Sequence, residues 1–245
     1  LAAWAETEPG VYVSALSATA PETPGGPQVV APPACGAWPI TRHVAHLARH
    51  TYPTDGPVPL AEAIFDRAAV EVARGCAQGC RFCQAGMIYR PLRERPPAEV
   101  ARAVLAGAAC GGFDEASLSS LSTADYRALE ALVPPLMDAL DECRVGLSVS
   151  SLRAYGLSDT MLDQISRVRR TGLTLAPEAG SERLRAVINK NVTADDLVAA
   201  TARAAARGWR KVKLYFMVGL PTETDEDVLA ILDLAVRVRT AGQRA

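Results

Sequence analysis

The 245-residue chain contains no uninterrupted apolar run approaching the roughly 18 residues that span a bilayer. Its opening, LAAWAETEPG, lacks the basic and apolar regions of a secretory signal. A cytoplasmic protein with no membrane partner is therefore expected. An excess of one charge is also missing: 26 Lys and Arg stand against 27 Asp and Glu, so no overall field draws nucleic acid or an anionic surface. Aromatics make up only 5% of the chain, and no pattern suggests a sheet of ring platforms for stacking bases. RNA as a partner is left to local arginines. Arg90, Arg93 and Arg95 are suited to a phosphate-bearing substrate, and equally to salt bridges or the lining of a cofactor site.

Hydrophobic residues at 49% and charged residues at 22% describe a folding globular protein, of a length that fits one large α/β domain. Residues 21–39, PETPGGPQVVAPPACGAWP, carry too much proline and glycine for a continuous helix or a central strand and read as a linker. ITRHVAHLARH then suggests a short helix ending before Pro53, which would set His43, His46 and His50 on one side, as a metal face or as a solvated one. These features predict a leader over residues 1–57 and a core domain over 58–245. The start at Leu1 and the polar tail VRTAGQRA read as cuts through a longer protein.

In the core, five strand-like runs, AAVEVARG, EASLSSLS, VGLSVSS, TGLTLAPE and KVKLYFMVGLP, alternate with helical segments. AEVARAVLAGAAC is one such segment. TADDLVAATARAAARG is another, with Thr193 as N-cap and Gly208 as its stop, and Thr224 opens a third. Alternation of this kind predicts an α/β fold with a parallel sheet whose functional loops gather at the C-terminal ends of the strands.

Six cysteines without a secretory signal point to reduced thiols rather than disulfides. Cys35, Cys110 and Cys143 are scattered, but Cys76, Cys80 and Cys83 fall in RGCAQGCRFCQAG with CxxxCxxC spacing, directly after the first strand. Soft thiolates at this spacing suit iron-sulfur or zinc, and three of them leave one iron of a cubane cluster without a protein ligand. A structural zinc site usually brings a second CxxC pair, which is missing here, although Cys110 is available as a fourth ligand.

At these cysteines the sequence resembles the radical S-adenosylmethionine (SAM) superfamily, whose signature is CxxxCxΦC with Φ aromatic; here Φ is Phe82. The resemblance implies a partial TIM-like (β/α)6 barrel, shortened here at the sixth strand, holding a 4Fe-4S cluster on Cys76, Cys80 and Cys83. It also implies SAM bound to the open iron, and reductive cleavage of SAM to a 5′-deoxyadenosyl radical that attacks a substrate not identified by the sequence. An external reductant such as flavodoxin or ferredoxin follows. For SAM contacts, the resemblance points to Ser119, Ser120 and Ser122 after the second strand, where a serine-rich helix-capping turn is the other reading. It points also to Ser150 and Arg153 after the third strand, to Glu178 after the fourth for the ribose, and to Phe82 near the adenine. For Arg153 a surface ion pair is the alternative, and for Glu178 a helix cap.

The phrases VEVARGCAQGCRFCQAGMIYRPLRER, LTLAPEAGSERLRAVINK and KLYFMVGLPTET resemble in particular the cobalamin-associated radical SAM proteins of poorly defined function, distant kin of methylthiotransferases. Cobalamin, and with it methyl transfer, would come only through a domain outside this chain, because no DxHxxG motif is present. The second cluster of methylthiotransferases is disfavoured, since Cys35 alone precedes the signature. From another class stands a noncatalytic metal-binding or interaction domain with a structural cysteine cluster.

Overall fold

A computed structural model describes residues 2–8, 10–30, 38–61 and 63–245. Contacts divide the chain into two compact units, residues 1–46 and 47–245. The first holds a short helix, α1 (Ala2–Thr7), and an antiparallel hairpin of β1 (Thr19–Pro21) and β2 (Gln28–Val30). Residues 19–30, at the start of the proline- and glycine-rich stretch, thus form a two-stranded ribbon, where every strand is an edge and proline is tolerated. Cys35 lies outside the described residues.

The predicted helix over ITRHVAHLARH does not form. Only a 3-10 turn, Leu47–Arg49, appears, so His43, His46 and His50 share no helical face. Tertiary bonds hold the end of this stretch instead. Arg95, 5% exposed, donates from Nη1 to the carbonyls of Leu47 at 3.1 Å and His50 at 2.7 Å, and from Nε to Glu71 O at 3.1 Å. Tyr52 donates its hydroxyl to Ala69 O at 2.8 Å. These bonds fasten residues 47–52 to the second unit, ten residues ahead of Pro57.

The second unit runs β3 (Ala68–Glu71), β4 (Ala73–Arg74), α2 (Gln84–Ile88), β5 (Arg93–Glu94), α3 (Pro97–Gly111), β6 (Glu115–Ser119), α4 (Leu129–Glu142), β7 (Gly146–Val149), α5 (Asp159–Ile165), β8 (Leu173–Glu178), α6 (Glu182–Val187), α7 (Ala194–Ala206), β9 (Val212–Phe216) and α8 (Asp225–Arg244). All five predicted strands are present and parallel. They form two sheets, β3-β6-β7 and β8-β9, in an α/β arrangement with the helices interleaved. Register sets Val70 beside Leu118 and Leu118 beside Val149, and Leu175 beside Leu214. Val70, Leu118, Leu147 and Leu175 are buried with Val100 and Val104 of α3, Leu136 and Met137 of α4, and Leu197 of α7. Each fully buried side chain of this size contributes about 1.5–3 kcal/mol.

The short antiparallel pair β4-β5 was not anticipated from sequence. It aligns Ala73 with Glu94 and Arg74 with Arg93, closing residues 75–92 into a loop. Gly75 opens that loop at φ +89, and a Cβ there would lie 2.5 Å from Tyr89 O and 2.7 Å from Pro91 O, so both conformation and space require glycine. No described helix is long and apolar enough to cross a membrane.

Candidate active site

The cysteine loop stands at the C-terminal end of β3, and the loops after β6, β7 and β8 converge on it. Cys76 and Cys80 are buried, Cys83 is half-buried at the start of α2, and all three are free thiols. Among the described residues no three His, Cys, Asp or Glu side chains stand together as a formed metal cage. The donor set nevertheless fits an iron-sulfur cluster: three soft sulfurs lie on one loop of eight residues, with an arginine facing one of them.

That arginine is Arg153. Its Nη2 lies 3.7 Å from Cys80 Sγ, its Nε donates to Ser122 Oγ at 3.3 Å, and its guanidinium carbon is 5.9 Å from the centre of the Tyr155 ring. Its Nη1 is buried without a hydrogen-bond partner among the described residues. A buried cationic donor left unsatisfied is costly, and an anionic ligand at this place would relieve it. Arg153 also borders a cavity of about 180 Å³ with Leu121, Ser122, Leu175, Glu178 and Lys190.

Glu178 occupies the left-handed region at φ +69, where β8 bulges; its carbonyl accepts from Met217 N at 2.8 Å, and its Oε1 accepts from Lys190 Nζ at 3.2 Å. The same ammonium lies 6.0 Å from the centre of the Phe82 ring, at the outer limit of a cation-π contact. Thus Ser122, Arg153 and Glu178 meet around one cavity, and Arg153 and Lys190 link it to Cys80 and Phe82.

The other serines lie elsewhere. Ser119 and Ser120 border a separate cavity of about 490 Å³ with Glu71, Arg74 and Tyr89. Ser120 Oγ also lies 3.0 Å from Thr123 Oγ1 and accepts from Ser122 N at 3.2 Å, which is the work of a turn cap. Ser150 donates to Leu118 O at 2.9 Å and ties the end of β7 to β6. Arg90 and Arg95 are committed to backbone carbonyls: Arg90 bonds Gly86 O at 2.8 Å and Gln78 O at 3.2 Å. Arg93 bonds Pro91 O and Tyr89 O, each at 3.1 Å. Arg90 and Arg93 shape the cysteine loop and the turn that follows it, while Arg95 holds residues 47–50 and the end of β3.

The family model described as the Radical SAM superfamily matches residues 70–235, more than half of the chain. The chain belongs to the radical SAM superfamily. Membership brings the superfamily's cofactors, a 4Fe-4S cluster and SAM, to this domain. The uncharacterized protein MJ0966 of Methanocaldococcus jannaschii is 40% identical over 171 residues, covering 69% of this chain and 37% of that protein. Uncharacterized protein MK0932 of Methanopyrus kandleri is 29% identical over 167 residues, covering 63% and 32%. The chain therefore spans about a third of the length of these curated relatives.

Among solved structures, the radical SAM methyltransferase TsrM from Kitasatospora setae, with tryptophan and a SAM analogue bound, superposes with a TM-score of 0.61 at 16% identity, covering 71% of this chain and 34% of that one. The cobalamin-dependent radical SAM enzyme OxsB, with aqua-cobalamin and SAM bound, gives 0.54 at 13% identity, covering 68% and 26%. At such identities the likeness establishes the fold.

Several residues of this radical SAM site were not singled out from sequence. Gln78, between the first two cysteines, donates from Nε2 to Asp125 Oδ2 at 2.9 Å and to the Tyr155 hydroxyl at 3.1 Å, while Tyr155 donates to Asp125 Oδ1 at 3.0 Å. Desolvation pushes the Tyr155 phenol up to about 12, so it stays a donor at neutral pH. Arg185, 1% exposed, donates from Nη1 to Ala179 O at 2.8 Å and Gly180 O at 2.9 Å, shaping the loop after Glu178. Nothing local distinguishes these residues from surface polar groups. Gln78 finds its partners in the turns after β6 and β7, 47 and 77 residues along the chain, and the bonds of Arg185 depend on how the loop after β8 folds.

Proposed function

We propose that Cys76, Cys80 and Cys83 hold a 4Fe-4S cluster, and that SAM binds beside it along the cavity bordered by Ser122, Arg153, Glu178 and Lys190. The chain would then be the catalytic domain of a cytoplasmic enzyme that cleaves SAM reductively and modifies a substrate still to be identified. The observation that carries this reading is Arg153, whose guanidinium touches a cysteine-loop sulfur, borders the cavity and keeps one buried nitrogen without a partner among the described residues. When bound, the cluster supplies the electron that splits SAM into methionine and a 5′-deoxyadenosyl radical able to remove a hydrogen atom from substrate.

The protein's own residues bind and orient. Arg153 offers Nη1 to the SAM carboxylate, the ligand its fork geometry matches. Glu178 takes a ribose hydroxyl, since a carboxylate accepts several bonds and Lys190 uses one oxygen. Ser119 and Ser120 would reach the methionine amine from the neighbouring cavity, which shares Leu121 with this one; Ser122 holds Arg153, Ser150 braces the end of β7, and Phe82 covers the adenine. Flavodoxin or ferredoxin delivers the electron. In a longer parent polypeptide a cobalamin-binding domain would make the reaction a methyl transfer; TsrM, which shares this fold, is a methyltransferase with cobalamin bound, and OxsB, which shares it too, is cobalamin-dependent. RNA remains a candidate substrate class, to be met by groups other than Arg90 and Arg95.

Anaerobic reconstitution followed by SAM and a strong reductant tests the proposal: 5′-deoxyadenosine should accumulate, and single alanine variants of the three cysteines should lose most of the bound iron. An intact cluster that yields no 5′-deoxyadenosine would instead favour the noncatalytic metal-binding domain.

A further inference from the structure

We propose that Asn189 is a positioning residue that fixes the cysteine loop relative to the Glu178–Lys190 side of the cavity, an inference that rests on the reading of the site given above. Its Nδ2 donates to the carbonyl of Gly79 at 2.8 Å, across 110 residues of sequence. A second bond runs alongside, from Arg81 N to Ile188 O at 2.9 Å, and Arg81 also donates from Nη1 to Val187 O. Both neighbours of Cys80 are therefore hung on residues 187–189.

The backbone at Asn189 is built for this. It lies at φ +54, in the left-handed region that asparagine enters more readily than most residues with a Cβ. The turn aims the amide at the cysteine loop and leaves the next side chain, Lys190, to pair with Glu178 and face Phe82. One short segment thus touches the loop through Asn189 and the cavity through Lys190.

SAM must meet the cluster and the cavity walls at once, so the spacing between them decides how well it binds. The loop has independent supports in Arg90, which bonds Gln78 O, and in the Gln78–Asp125–Tyr155 network. Cluster assembly should therefore survive the loss of Asn189, while SAM engagement should not.

Three variants in the full-length protein test this. N189D keeps the size and backbone preference but cannot donate to a carbonyl; N189G keeps the positive φ and removes the amide. G79A works from the other end, because a Cβ there would stand 2.8 Å from Asn189 Nδ2 and displace it. After anaerobic reconstitution, iron and sulfide content should match wild type in all three, and the unfolding midpoint should fall by only about 2–4 °C, the effect of one lost hydrogen bond. The Kd for SAM should rise roughly tenfold as the cysteine loop and the cavity walls lose their fixed spacing. The change that SAM induces in the electron paramagnetic resonance spectrum of the reduced cluster should weaken at a concentration saturating for wild type. Wild-type SAM affinity in all three variants overturns the inference, as does a loss of iron that runs parallel with the loss of SAM binding, which would make Asn189 an assembly residue. A wild-type protein that neither holds a cluster nor binds SAM overturns the reading of the site, and this inference with it.

Discussion

Glu178 shows how a single side chain joins chemistry to structure. Its strained backbone turns the carboxylate toward Lys190, and the pair is largely buried, with side-chain exposures of 17% and 10%. E178A should weaken SAM binding roughly ten- to hundredfold, while iron content stays near wild type because no cysteine contact is touched. Equilibrium SAM binding beside an iron assay separates the two effects. Asp227 is a second case. It accepts bonds from Arg183 and Ser181, and from Thr224 N at 2.9 Å, and the Arg183 guanidinium with these donors holds its carboxyl far below the usual carboxylate range. As pH falls, the unfolded chain takes up the proton first, so the stabilisation from Asp227 is complete above pH ~4 and drains away below it. Thermal unfolding followed from pH 6 to 3 should show a shallower decline in D227N than in wild type.

At the scale of elements, local signals and tertiary demands divide the helices. For α7 the local signal suffices: Thr193 Oγ1 accepts from Asp196 N at 3.1 Å and Thr193 N donates to Asp196 Oδ2 at 2.9 Å, a reciprocal cap legible in TADD. T193A should lower stability by about 1 kcal/mol, measured by denaturant unfolding, with SAM affinity unchanged. Helix α4 is the opposite case. It contains Pro134 and Pro135, each of which removes a helical donor at a cost of about 3 kcal/mol or more, yet it forms because one face buries Leu132, Val133, Leu136, Met137 and Leu140. The stretch ITRHVAHLARH does not become a helix; its last residues are held by tertiary bonds instead, the carbonyls at 47 and 50 accepting from Arg95 of another element. Periodicity cannot register a partner that lies 45 residues away.

Across the whole molecule, the loop after β8 must approach α8 closely. A Cβ on Gly180 would lie 2.3 Å from Ile231 N and 2.8 Å from Asp227 O, both backbone atoms that cannot swing aside. G180A should therefore destabilise the protein by about 1–3 kcal/mol through overpacking, and displace Glu178 as the loop shifts. A lower unfolding midpoint together with weaker SAM binding is the expected pair of readouts. The sequence by itself determined the five strands, the α/β class and the CxxxCxxC grouping of Cys76, Cys80 and Cys83, because side-chain period and residue spacing are properties of a few neighbouring residues. Tertiary structure decided which polar groups meet: Arg153 reaches Cys80 across 73 residues and Asn189 reaches Gly79 across 110. It also separated Ser119 and Ser120 from the cavity that Ser122 borders. Such meetings depend on how strands and loops pack and on where buried donors find acceptors, and no stretch of chain carries that information alone.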